Sequence, residues 1–235
     1  MGANAQIEVP AFTAGQVLTA AELTQINTGI PVFATTVTRD AAFGGAGEKV
    51  LAQGQYAYIE ATSALMVYTG SAWTVAGNGL TFINSVTATA GATATIDGCF
   101  TSTYENYKII ITGLASVDTG LTLQLRVGGV SAATNYGRQR LVADSTTVSG
   151  SRSTGDTSLI LGGWTTLQQL MHVEIGKPAV AAQTTFLSLD NYQAGTPTVQ
   201  VMAGQHSTAT AYDGFVLTPQ SGNISLTAYV YGYGK

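Results

Sequence analysis

The sequence predicts an all-β protein, and three observations carry that expectation. From Thr81 onward, apolar residues recur at every second position in short segments. Gly, Asn, Asp and Pro punctuate these segments, the signature of a sandwich or barrel. Helical periodicity is absent over the same stretch, and no repeat of fixed period points to a propeller or a β-helix.

The first element in the chain is the exception, a short helix. Thr19-Ala20-Ala21-Glu22 is a capping box, and Leu18 and Leu23 are placed to staple it from either side. Gly29 supplies a left-handed cap and Pro31 forbids continuation, so the helix is expected over 20–28. Leu23 and Ile26 share one of its faces. Two turns cannot stand alone in water, so this stripe must dock on a later domain or on a neighbouring subunit. Residues 1–32 therefore read as an anchoring arm with Leu18, Leu23 and Ile26 as its contact residues.

Residues 33–76 read as a small β subdomain. Tyr56-Ala57-Tyr58-Ile59-Glu60 and Leu65-Met66-Val67-Tyr68 flank Thr62-Ser63-Ala64 as a hairpin would, and Gly70-Ser71 turns the chain into Trp73-Thr74-Val75. Gly77-Asn78-Gly79 breaks the pattern and marks the start of the main domain, 77–235. There Leu121, Leu123, Leu125 and Val127 alternate with Thr122, Gln124 and Arg126, giving one buried and one wet face. Gln169, Met171, Val173 and Ile175, preceded by Leu167, alternate with Gln168, Leu170, His172 and Glu174. Ile224, Leu226, Ala228 and Val230 oppose Ser225, Thr227, Tyr229 and Tyr231 in the same way. The stretches 107–112 and 184–189 add two continuous apolar runs.

Composition narrows the function. Only 9% of residues are charged while 45% are apolar, a balance that excludes disorder and leaves a surface that repels its neighbours weakly. A permanently assembled protein is expected. The formal net charge is -4, and no Lys or Arg occurs between Lys177 and Lys235, so no basic patch for nucleic acid is expected. A single cysteine, Cys99, excludes an intramolecular disulfide. The sequence shows neither a signal peptide nor an apolar stretch long enough to span a bilayer, so folding in a cytoplasm is expected.

Catalytic motifs are not found. Gly44-Gly45-Ala46-Gly47-Glu48-Lys49-Val50 differs from a phosphate loop because Glu48 intervenes and no Ser or Thr follows the lysine. Neither Ser149 nor Ser151 sits in the frame of a nucleophile elbow. His172 and Glu174 face one side of a strand and could join His206 only if the fold brought it to them, so no metal site is expected. Cys99 reads as a buried small hydrophobe, and Asp97 and Asp213 as turn residues beside Gly98 and Gly214. Neither an enzyme nor a cofactor is expected. Tyrosine is the enriched residue, with 11 copies. Tyr229, Tyr231 and Tyr233 project from one face, where they suit a subunit interface or a stacking platform for sugar rings.

Two stretches carry a resemblance. Phe12-Thr13-Ala14-Gly15-Gln16-Val17-Leu18-Thr19-Ala20-Ala21-Glu22-Leu23, then Thr38-Arg39-Asp40-Ala41-Ala42 and Leu65-Met66-Val67-Tyr68-Thr69-Gly70-Ser71-Ala72-Trp73, resembles the N-terminal region of tailed-phage minor structural and fibre proteins, with Thr69 where an Asp is usual. The part from Tyr104-Glu105-Asn106-Tyr107-Lys108-Ile109 to Tyr229-Val230-Tyr231-Gly232-Tyr233-Gly234-Lys235 is similar to the jelly-roll modules that end many phage fibre and decoration proteins. The resemblance implies a jelly-roll-like sandwich, a homotrimer, and an arm that anchors to other virion proteins. The function it implies is that of a virion structural subunit, a tail fibre attaching to a host surface, a host surface glycan included. A capsid decoration or head-fibre protein is the alternative, and a carbohydrate-binding module or glycan hydrolase is a second.

Overall fold

The computed structural model describes residues 14–19, 29–44, 49–77, 79–193 and 197–234. The chain divides into two compact units, 1–78 and 79–235, so the division falls inside the Gly77-Asn78-Gly79 stretch. The helix expected over 20–28, with Leu23 and Ile26, lies outside the described residues. Leu18, just before it, is exposed.

The first unit holds a four-stranded sheet. Strand β1 (Val32–Phe33) runs parallel to β2 (Tyr56–Ile59), which forms antiparallel pairs through β3 (Ala64–Tyr68) to β4 (Trp73–Val75). The expected hairpin is β2–β3. A 3₁₀ turn over Glu60–Thr62 and a left-handed Ser63 (φ 49°) close it. Val32 is paired with Tyr58, so the sheet takes in the last residue of the expected arm. Between β1 and β2 lies a helix the sequence reading does not contain, α1 (Thr36–Asp40). Its box is built by Thr35 and Thr38: Thr35 Oγ1 accepts from Thr38 N at 3.2 Å, and Thr38 Oγ1 accepts from Thr35 N at 3.0 Å. A threonine therefore does the work for which Glu or Gln is the usual marker. Phe33, Ala42, Ala57 and Ile59 are fully buried, and Phe43, Met66 and Trp73 pack on them. The Arg39 guanidinium lies 4.6 Å over the Trp73 ring while bonding Asp40.

The second unit is an all-antiparallel two-sheet sandwich. Its strands are β5 (Leu80–Gly91), β6 (Ala94–Ile96), β7 (Asn106–Ala115), β8 (Thr119–Val127), β9 (Val130–Ser131), β10 (Tyr136–Asp144), β11 (Thr147–Asp156), β12 (Leu159–Trp164), β13 (Gln169–Gly176), β14 (Thr184–Gln193), β15 (Pro197–His206), β16 (Gly214–Pro219) and β17 (Ile224–Tyr233). One sheet has the order β11-β10-β15-β14-β13-β7-β17-β5, and the other β12-β8-β16-β6 with β9 beside β8.

The core forms where the three alternating segments meet. Leu121, Leu123 and Leu125 of β8 face Ile109 and Ile111 of β7, Met171 and Val173 of β13, and Ala228 and Val230 of β17 in one buried cluster. Burying each large side chain of this kind contributes about 1.5–3 kcal/mol. Expectation and structure differ at Val127, which is exposed because it sits at the Gly128-Gly129 turn where the second sheet ends. The continuous run at 184–189 exposes one of its two phases, since Leu187 and Leu189 point outward. Among the described residues, no helix is long and apolar enough to cross a membrane.

Candidate functional site

The wide sheet is the feature from which a function can be built, because two of its eight strands are inverted. Strands β14 and β15 bury Ser188, Asp190, Thr198 and Gln200, and expose Leu187, Leu189, Val199 and Val201. The cause lies in β12 of the opposite sheet. Its pairing with β8 skips Leu161, a bulge between Ile160 and Gly162, and a bulge leaves backbone groups without ladder partners. Ser188 Oγ donates to the Leu161 carbonyl at 2.6 Å, and Gly163 N–H donates to Gln200 Oε1 at 3.2 Å. Polar side chains must therefore face inward here. With a period of two, the leucines and valines between them are forced outward.

The consequence is an apolar row across six neighbouring strands. Leu141, Val201, Leu189, His172, Ile110 and Tyr229 stand opposite one another from β10 to β17. Ala203 and Leu187 flank this row on one side, and Val199 and Ala143 on the other. Leu141 is 52% exposed and Leu187 and Leu189 are each 49% exposed. Clustered apolar exposure of this kind marks an interaction surface, where scattered single residues would not. Charge on this face lies beside the row, in the ion pair of Lys108 Nζ with Glu174 Oε1 at 3.0 Å and in Arg152 on β11, opposite Gln139.

The three tyrosines lie on this same face of β17. Tyr229 is half-exposed in the apolar row, and Tyr231 packs edge-on to Phe82 with ring centroids 5.7 Å apart. Tyr233 donates its hydroxyl to Glu174. Partial burial, reinforced by the Glu174 carboxylate, pushes its phenol up to about 12. The tyrosines thus edge a larger apolar surface. Leu141, Leu187, Leu189, Val199 and Val201 were missed because alternation shows two faces without showing which is inside, and leucine defaults to the core.

Comparison with protein-family models finds no match to this chain, and comparison with curated proteins finds none. The local geometry therefore has to carry the interpretation.

The residues weighed for chemistry do not converge. His172 and Glu174 are on the outer face, whereas His206 is buried on the inner one against Tyr136 and Tyr212, with Tyr212 Oη 3.2 Å from its Nδ1. Burial pushes the His206 pKa down, which favours the neutral ring. Cys99 is fully buried, and desolvation pushes its thiol up to about 12, far from a nucleophilic thiolate. Asp97 pairs with Arg126 at 2.7 Å, and Asp213 accepts from the Gly128 amide at 3.0 Å; both brace turns.

Proposed function

We propose that this protein is a structural subunit of a bacteriophage virion, a trimeric tail-fibre component that attaches the particle to a host surface and performs no chemistry itself. The observation that carries the assembly is the outward apolar row of the wide sheet. An exposed area made mostly of leucine and valine, with His172 as the polar member of its row, suits an equally apolar partner, and a second copy of the chain always supplies one. Cyclic arrangement closes the contact and prevents open-ended polymerisation of a weakly charged protein.

The turn after β3 supports the phage-like reading of the first unit. Thr69 Oγ1 accepts from Ala72 N at 3.2 Å, and Thr69 N donates to Ala72 O at 2.8 Å. Threonine thus closes this turn from the position at which an Asp is usual in the sequence pattern the chain resembles, with Gly70 at φ +99° completing the bend.

Mass measurement in solution tests the proposal. Three chains are expected at micromolar concentration, and Leu189→Glu, which places a charge in the centre of the row, should yield monomers with an unchanged far-UV spectrum. A stable wild-type monomer would overturn the reading.

A further inference from the structure

We propose that the flank of the sandwich between β10 and β12 holds a binding site for a carboxylate-bearing sugar, with Arg140 and Arg138 as its anion-binding residues. A cavity of about 450 Å³ opens there, a size within the usual range for small ligands. Three glycines in its lining let the neighbouring side chains that wall it pack directly on the backbone. A Cβ on Gly163 would strike the Tyr192 ring at 2.2 Å, one on Gly162 would strike Asp190 Oδ2, and one on Gly120 would strike Gln220 Oε1 at 2.2 Å.

Two guanidinium groups line this cavity with nitrogens left unused. Arg138 Nε and Nη1 and Arg140 Nε are buried without a hydrogen-bond partner, a state that costs free energy until an acceptor arrives. The nearest acid to Arg138 is Asp156, 4.0 Å away and bonded by the Ser153 hydroxyl. Burial, and then the charge of Arg140, lower the Arg138 pKa, and Asp156 opposes them only in part. Asp190 lies behind Gly162; burial raises its carboxyl to about 7 although the charge of Arg140 pulls it down, so near neutral pH it offsets the guanidinium charge only in part.

The rest of the lining selects the ligand. A bare inorganic anion would occupy only the arginine end. Gln200 and Gln220 offer amides, Thr119 and Ser149 offer hydroxyls, and the Tyr192 ring and Ile160 offer apolar surface. A carboxylate for the fork of an arginine, hydroxyls for amides and a ring face for tyrosine together describe a sugar acid. The inference concerns the interior flank of a single sandwich, so it does not rest on trimer formation or on the virion reading.

Calorimetric titration of the full-length protein with glucuronate tests it, with glucose, acetate and inorganic phosphate as controls. Saturable binding of glucuronate is expected, with glucose and acetate far weaker. Arg140→Gln should weaken binding by about thirtyfold or more. Ser149→Trp, at the exposed mouth, should block the cavity without touching the core, and keeps the test decisive should the arginine variant fail to fold. Absence of saturable glucuronate binding, glucose binding as well as glucuronate, or undiminished affinity in either folded variant would overturn the proposal. Phosphate matching glucuronate would also overturn it, by reducing the site to a simple anion hole. Mass measured on the same samples keeps the two proposals apart, because both variants are expected to retain the wild-type oligomer.

Discussion

Asp190 shows how one side chain can cost stability and still be kept. Burial raises its carboxyl from 3.8 to about 7, so ionising it in place costs at most about 4 kcal/mol. Between those two values the folded protein holds a proton that the unfolded chain has released, so this group's contribution to stability falls as pH rises from about 4 to 7 and is constant above. Asp190→Asn removes the titration. Thermal unfolding of both proteins across this range should show the variant gaining on the wild type up to neutral pH and then holding its lead. His206 titrates in both proteins and cancels in the difference. A difference independent of pH would show that Asp190 is ionised throughout.

At the scale of strands, the bulge in β12 and the inverted phase of β14 and β15 are one feature. Ser188→Ala leaves the buried Leu161 carbonyl unsatisfied, which should cost about 1–3 kcal/mol. Urea unfolding at fixed protein concentration should show a lower midpoint and an unchanged slope. The same feature explains what could be read from sequence. Strands β8, β13 and β17 were legible because one phase of each is almost wholly apolar, leaving no doubt about the core side. On β14 the candidates for burial were Phe186, Ser188 and Asp190 against Leu187 and Leu189, and hydrophobicity alone prefers the wrong set. The deciding fact is a backbone irregularity about 27 residues away in sequence, between Ser188 and Leu161, which no local pattern contains. Helix α1 was missed for a simpler reason, the threonine that replaces the expected acid or amide in its capping box. Of the candidate site, the tyrosine row could be seen in the sequence. The larger apolar area it edges, and the arginine-lined cavity, could not.

For the whole molecule, low charge and an apolar sheet face lead to the same expectation. With 9 basic and 13 acidic residues in 235, ion pairs cannot dominate a subunit interface, and surface pairs contribute little in any case. Raising sodium chloride to about 1 M, where screening acts within roughly 3 Å, should leave the oligomeric mass unchanged. Dissociation by salt would point to an electrostatic interface and against the apolar row. The first unit has a separate role in the proposal. Deleting residues 1–29, which spares Pro31 and β1, should leave a folded protein that no longer enters particles, and particle yield with bound subunit measured by gel densitometry checks this.

The place of β5 has a kinetic consequence. This twelve-residue strand opens the sandwich, yet its ladder partner is β17, and Thr87 meets Thr227 across 140 positions of sequence. Until β17 has been synthesised, β5 has no strand to pair with, and its Phe82 has no Tyr231 ring to lean on. Closure must then pay the entropy of a very long loop, which places folding towards the slow end of the range for β proteins. During that wait the chain carries an open hydrogen-bonding edge, so recovery of soluble protein should depend on temperature and on chaperone supply more steeply than the finished sandwich would suggest.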